Sequence, residues 1–173
     1  MERRLATLGV AFAFWVLCAC PPAMAQFGLT LENTTMRVHA YEGAPRPASQ
    51  IATVFAPYGM NGEMTHICNV DGKSYRKLGW TSSCPSVVYL LPGTHQLKLD
   101  FYVARLVGSP TVPIQVEAGK SYMVRGVLSG DRRATFSIDP MPQGFVLTYK
   151  DIYPASFSKS GVKNTRVDPA DAR

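Results

Sequence analysis

Residues Val87 to Val103, VVYLLPGTHQLKLDFYV, constrain the fold more than any other stretch. Beyond Pro92-Gly93 the side chains alternate. Leu97, Leu99, Phe101 and Val103 fall on one face; Gln96, Lys98, Asp100 and Tyr102 fall on the other. A period of two marks a strand with one buried face. Pro92 presets the second position of a turn, and Gly93 tolerates positive φ at the third. The stretch therefore reads as a hairpin joined at Leu91-Pro92-Gly93. Its apolar face has to be covered, and the rest of the chain offers more strands for the purpose.

Met36–Tyr41, Gln50–Ala56, Met64–Val70 and Ser74–Lys77 read as strands before the hairpin. Asp71-Gly72 is a hairpin signal, because both central positions of a type I′ turn need positive φ. After the hairpin come Thr111–Glu117, Ser121–Leu128, Arg133–Asp139 and Phe145–Lys150. Pro113 has no amide proton to give to a ladder, which favours a sheet edge for its strand. Nothing after the first 25 residues shows a long 3.6-residue period. Short strands with turn signals about every 8–12 residues predict an all-β fold, an antiparallel β-sandwich of immunoglobulin-like or open-barrel form.

The N-terminus speaks to compartment. Arg3 and Arg4 precede an uncharged, mostly apolar run, Leu5 to Cys20, and Ala23-Met24-Ala25 follows. That order matches a secretory signal peptide, helical in its apolar part, cleaved between Ala25 and Gln26. The expected organisation is a signal peptide over 1–25, a β-sandwich over 26–155 and a flexible, disordered polar tail over 156–173. The apolar run is short for a membrane span, so no transmembrane segment is expected in the mature form. Leu17-Cys18-Ala19-Cys20 also fits a lipobox, in which Cys20 would carry a lipid anchor. The protein is therefore expected in the periplasm or secreted, or else anchored to a membrane through Cys20.

Cleavage would leave two cysteines, Cys68 and Cys84. An even pair in an exported chain is expected to form a disulfide. The 17-residue loop from Cys68 to Cys84 would give about 3 kcal/mol of stabilisation. A two-cysteine metal site is the alternative, without the close C-x-x-C spacing that such sites use.

The net charge of +6 suits contact with an anionic surface. No aromatic-rich basic run accompanies it, so nucleic acid is not an expected partner. There is no Gly-x-Ser-x-Gly elbow, no phosphate-binding glycine loop and no His-Glu-x-x-His. His39, His66 and His95 are far apart in sequence. Met60, Met64, His66 and Cys68 form a soft-ligand cluster suited to copper(I), with Met64, His66 and Cys68 on one face of a strand. Against it, Cys68 is the expected disulfide partner and methionine is a common core filler. Arg76, Arg105 and Arg125 could grip an anionic polymer if strand neighbours brought them together. Tyr75, Tyr89, Tyr102 and Trp80 could form an aromatic binding surface or cap the core.

Several motifs follow in order: Tyr41-x-Gly43-x-x-Arg46-Pro47, Ile51-Ala52-Thr53, Val70-Asp71-Gly72-Lys73, Leu91-Pro92-Gly93-x-His95 and Ala118-Gly119-Lys120-x-Tyr122. Over about residues 40–150 this layout resembles uncharacterised bacterial envelope proteins and lipoproteins, and it is similar to PEGA-type β-domains of surface proteins. The resemblance implies an exported β-sandwich without known catalytic residues. The Cys68–Cys84 pair lies outside that pattern. The expected function is that of an exported, non-catalytic envelope protein, a binding or structural module without a cofactor. Its expected partner is another envelope protein or an anionic envelope polymer. The alternative is a periplasmic ligand- or copper-binding protein using Met60, Met64 and His66.

Overall fold

The computed structural model describes residues 35–59, 63–77, 84–130, 133–154 and 164–172. The expected signal peptide with Cys20, the residues Met60 and Trp80, and tail residues 155–163 lie outside the described residues. The strands are β1 (Arg37–His39), β2 (Ala52–Phe55), β3 (Glu63–Val70), β4 (Lys73–Ser74) and β5 (Val87–Leu90). They continue with β6 (Gly93–Val103), β7 (Arg105–Gly108), β8 (Thr111–Val116), β9 (Ser121–Leu128) and β10 (Ala134–Pro140), before a short helix α1 (Tyr149–Ile152).

These strands form two sheets packed face to face, an all-β sandwich with no closed barrel. The first sheet runs β1-β5-β2-β9-β10. The second runs β4-β3-β6, with β7 and β8 following one another along the far side of β6. β8 pairs only with β6 among the described strands, the edge position that Pro113 favours. Asp71 and Gly72 turn β3 into β4 with φ of 50° and 84°, the doubly positive geometry of a type I′ turn. The first sheet is mixed, because β1 runs parallel to β5 and β2 parallel to β9, whereas the pairings of the second are antiparallel.

The Val87–Val103 stretch corrects the expected hairpin. Its two strands belong to different sheets: β5 lies between β1 and β2, whereas β6 lies between β3 and the β7–β8 run. The reason is burial. Every residue of β5 is buried, so this strand needs cover on both faces, as an unbroken apolar run does. β6 has one dry face, with Leu97, Leu99 and Phe101 each 0% exposed. Turn chemistry at Pro92-Gly93 set the bend but not the layer that the next strand joins. The connection is a corner between sheets.

Between the sheets lies one core, including Val54, Val88, Leu90, Ile67, Leu97, Leu99 and Val124. A second core covers the outer face of the first sheet. There Ile51, Phe55, Val87 and Tyr89 pack against Leu147, Tyr149, Ile152 and Val167. The C-terminal part of the chain supplies that cover, so Phe145–Lys150 is not a strand. Asp151 accepts hydrogen bonds from the Thr148 amide at 2.8 Å and the Thr148 hydroxyl at 2.6 Å. This half of a capping box starts α1 where a strand would have continued. Residues 164–172, expected within a flexible tail, are docked instead. The Val167 amide donates to the Leu147 carbonyl at 2.9 Å, and Val167 is buried. A polar composition hid one apolar anchor.

Candidate functional site

The outer face of the second sheet holds a buried polar cluster centred on Asp100, a residue 2% exposed. Alternation along β6 sends Asp100 away from the inter-sheet core. Across the ladder it faces His66 of β3. The Arg76 guanidinium, just beyond β4, pairs with Asp100 Oδ2 and reaches Cys68 Sγ at 3.6 Å. The Ser109 hydroxyl donates to Asp100 Oδ1 at 2.5 Å, and the Tyr102 hydroxyl donates to Oδ2 at 3.3 Å. Removing a carboxylate from water costs several kcal/mol, on the order of the value such partners have to offset.

Beside Asp100 is the Cys68–Cys84 disulfide, whose Cα atoms are 4.8 Å apart. It ties β3 to the segment entering β5, and so links the two sheets covalently. The β3–β6 register shifts between Ile67 and Asn69, leaving Cys68 as the bulge residue. The carboxylate of Asp100 and both sulfurs lie within 4.8 Å of one another. The His66 ring makes edge contacts with Tyr58 and Tyr102, at centroid distances of 5.5 Å and 5.7 Å. Burial pushes its pKa down, while Asp100 and the Cys84 backbone pull the other way. His66 therefore favours the uncharged imidazole at neutral pH.

A second locus is an open groove at the seam of the sheets, with a volume of about 340 Å³. Tyr58, Glu63, Arg125, Asp151 and Pro154 line it. β3 supplies Glu63, β9 supplies Arg125, and α1 supplies Asp151. The Arg125 guanidinium approaches only the Met123 sulfur, at 3.6 Å, among the contacts of the described residues. Tyr58 belongs to both loci: it stacks on Tyr153 at 4.7 Å and meets His66 edge-on.

No family model, curated protein or solved structure matches the chain. No helix among the described residues is long and apolar enough to cross a membrane. The site is therefore read from its own geometry.

The residues singled out in the sequence meet different fates. Cys68 and Cys84 form the disulfide. Met64 and His66 share the outward face of β3 with Cys68, but the sulfur of Cys68 is already bonded. Arg76, Arg105 and Arg125 stand on different elements: Arg76 is tied to Asp100, Arg105 begins β7 of the second sheet, and Arg125 lies on β9 of the first. The three histidines also stay apart. His39 lies on β1, between the rings of Tyr41 and Tyr89. His95 Nδ1 is 2.6 Å from Asp71 Oδ2, and its Nε2 is 2.8 Å from the Leu91 carbonyl, a latch between two turns. The tyrosines do not form one flat surface, since Tyr89 is buried in the outer core and Tyr75 packs against the inner one.

Asp100 is the residue that sequence reasoning missed. Alternation placed it on the wet face of β6, which is correct for the backbone. Its burial depends on Arg76, Ser109 and the disulfide, which reach it from other elements. An aspartate within a strongly β-forming run is the one available signal, because aspartate is depleted in strands.

Proposed function

We propose that this protein is an exported, non-catalytic module of the cell envelope that binds a protein partner there. The observation that carries the reading is the seam groove. Its walls come from both sheets and α1, and it presents Glu63 and Asp151 beside Arg125. A mixed-charge lining on rigid elements suits a polar peptide segment carrying both signs of charge. It suits an anionic polymer less, because Arg76 is already paired with Asp100 and the groove lining includes Arg125 but neither Arg76 nor Arg105. The disulfide supports export, since such bonds persist in oxidising compartments. The Asp100 carboxylate is engaged by Arg76, Ser109 and Tyr102, in keeping with a structural role for it while the disulfide is closed.

The test is mild crosslinking of the tagged, full-length protein in envelope extracts, beside a charge-reversed Glu63→Lys/Arg125→Glu variant. The proposal expects one protein partner recovered with the wild type and lost with the variant. Recovery of only free monomer, or of the same partner with both, contradicts it. The copper reading is left with Met64 and His66 among the described residues, because the Cys68 sulfur is bonded to Cys84.

A further inference from the structure

We infer that opening the Cys68–Cys84 disulfide turns the outer face of the second sheet into a site for one divalent, thiophilic cation, held by Cys68, Cys84 and Asp100 with His66 as fourth ligand. The inference stands apart from the groove and does not depend on the proposed function. It also uses a different ligand set from the copper cluster, because Cys84 and Asp100 replace the methionines.

The first support is geometric. Both Sγ atoms and an Asp100 oxygen lie within 4.8 Å of one another. Around a tetrahedral zinc ion, with bonds of about 2.0–2.3 Å, ligand atoms stand roughly 3.3–3.8 Å apart. Breaking the S–S bond lets the sulfurs separate to that spacing by side-chain rotation. Three donors already orient the Asp100 carboxylate, which offers about four lone-pair positions, so one remains for a metal.

The second support is His66. It lies directly across from Asp100 in the strand ladder, and its Nδ1 is buried without a hydrogen-bond partner among the described residues. Burial of an imidazole nitrogen without a partner is costly, and metal coordination would satisfy it.

Charge balance is the third support. Two thiolates and Asp100 carry three negative charges, Arg76 carries one positive charge, and a divalent cation brings the cluster to zero. A buried site requires such neutrality. The redox step balances with a dithiol as reductant. One of its thiolates attacks a disulfide sulfur, and the S–S electron pair leaves on the other cysteine. The second thiol then releases the first cysteine, and the reductant departs as its own disulfide. The cation displaces the protons of the two cysteines.

The test uses the full chain, stripped of metal and reduced with a phosphine, then titrated with Co²⁺ followed by Zn²⁺. The inference expects one Co²⁺ per chain, with thiolate-to-cobalt charge-transfer absorbance that Zn²⁺ abolishes, and no such absorbance from the oxidised protein. Asp100→Asn and His66→Gln should each weaken binding about tenfold or more, with circular dichroism of the oxidised variants confirming their fold. Recovery of native circular dichroism on adding Co²⁺ to a reduced, unfolded chain would also support the site. Absence of cobalt absorbance in the reduced wild type overturns the inference. So does wild-type affinity in both folded variants, or cobalt binding that leaves a reduced chain unfolded.

Discussion

Gly126 has no room for a side chain in the interface between the sheets. A Cβ at this position would stand 2.5 Å from Phe101 Cδ2 and 3.0 Å from Thr65 Oγ1. The Gly126 amide donates to that same Thr65 hydroxyl at 2.9 Å. Phe101 is fully buried and cannot swing away freely. Gly126→Ala is therefore expected to destabilise the protein by about 1–3 kcal/mol through overpacking, measured by urea unfolding. Arg76 acts by charge instead. Arg76→Gln removes the cationic partner of a buried carboxylate and is expected to cost about 2 kcal/mol in the same assay. That is less than the roughly 3–5 kcal/mol of a fully buried pair, because the Arg76 side chain is 33% exposed. Asp71 gives the pH dependence. Burial opposes its charge, but the Gln96 amide and the His95 ring outweigh burial and hold its pKa below the ordinary 3.8. A carboxyl depressed in the folded state contributes stability that is complete above the unfolded value. That contribution is lost as pH falls from 3.8 through the lower folded value. Asp71→Asn should flatten this acid limb in a plot of Tm against pH, and an unchanged limb would refute the latch.

At the scale of elements, α1 and residues 164–172 matter most, because they close the outer core. Ile152 is 0% exposed and its carbonyl accepts from the Tyr58 amide at 2.7 Å. Ile152→Ala should cost about 2–4 kcal/mol and raise binding of a hydrophobic dye; a loss under about 0.5 kcal/mol would mean the segment is only loosely attached. Tyr153 packs into the same cover and accepts a hydrogen bond from the Thr35 hydroxyl at 3.1 Å. Burial pushes its phenol up to about 12. Strands were legible in the sequence wherever alternation reports a single dry face, as in β6, β8 and β9. Alternation was silent on β5, whose four buried residues look alike from either side. It also misread Phe145–Lys150, where Thr148 and Asp151 override strand propensity by starting a helix. The site was legible only in part. The disulfide followed from counting cysteines, whereas Asp100, its neighbour in space, is distant from both of them in sequence.

The whole molecule is two sheets joined by a corner at Pro92-Gly93, with a disulfide across them and a C-terminal cover over the first. The class of fold could be read from local periods and turns, since those report which side chains are dry. Layer membership could not, because β5 and β6 exchange partners over a two-residue connection. The most direct test is the set of backbone nuclear Overhauser contacts in the isotopically labelled, oxidised protein. Contacts are expected to join Val54 to Val88 and Ile67 to Leu99, the pairs set by the β2–β5 and β3–β6 registers, with no ladder between residues 87–90 and 93–98. A continuous antiparallel ladder between those two stretches would contradict this arrangement.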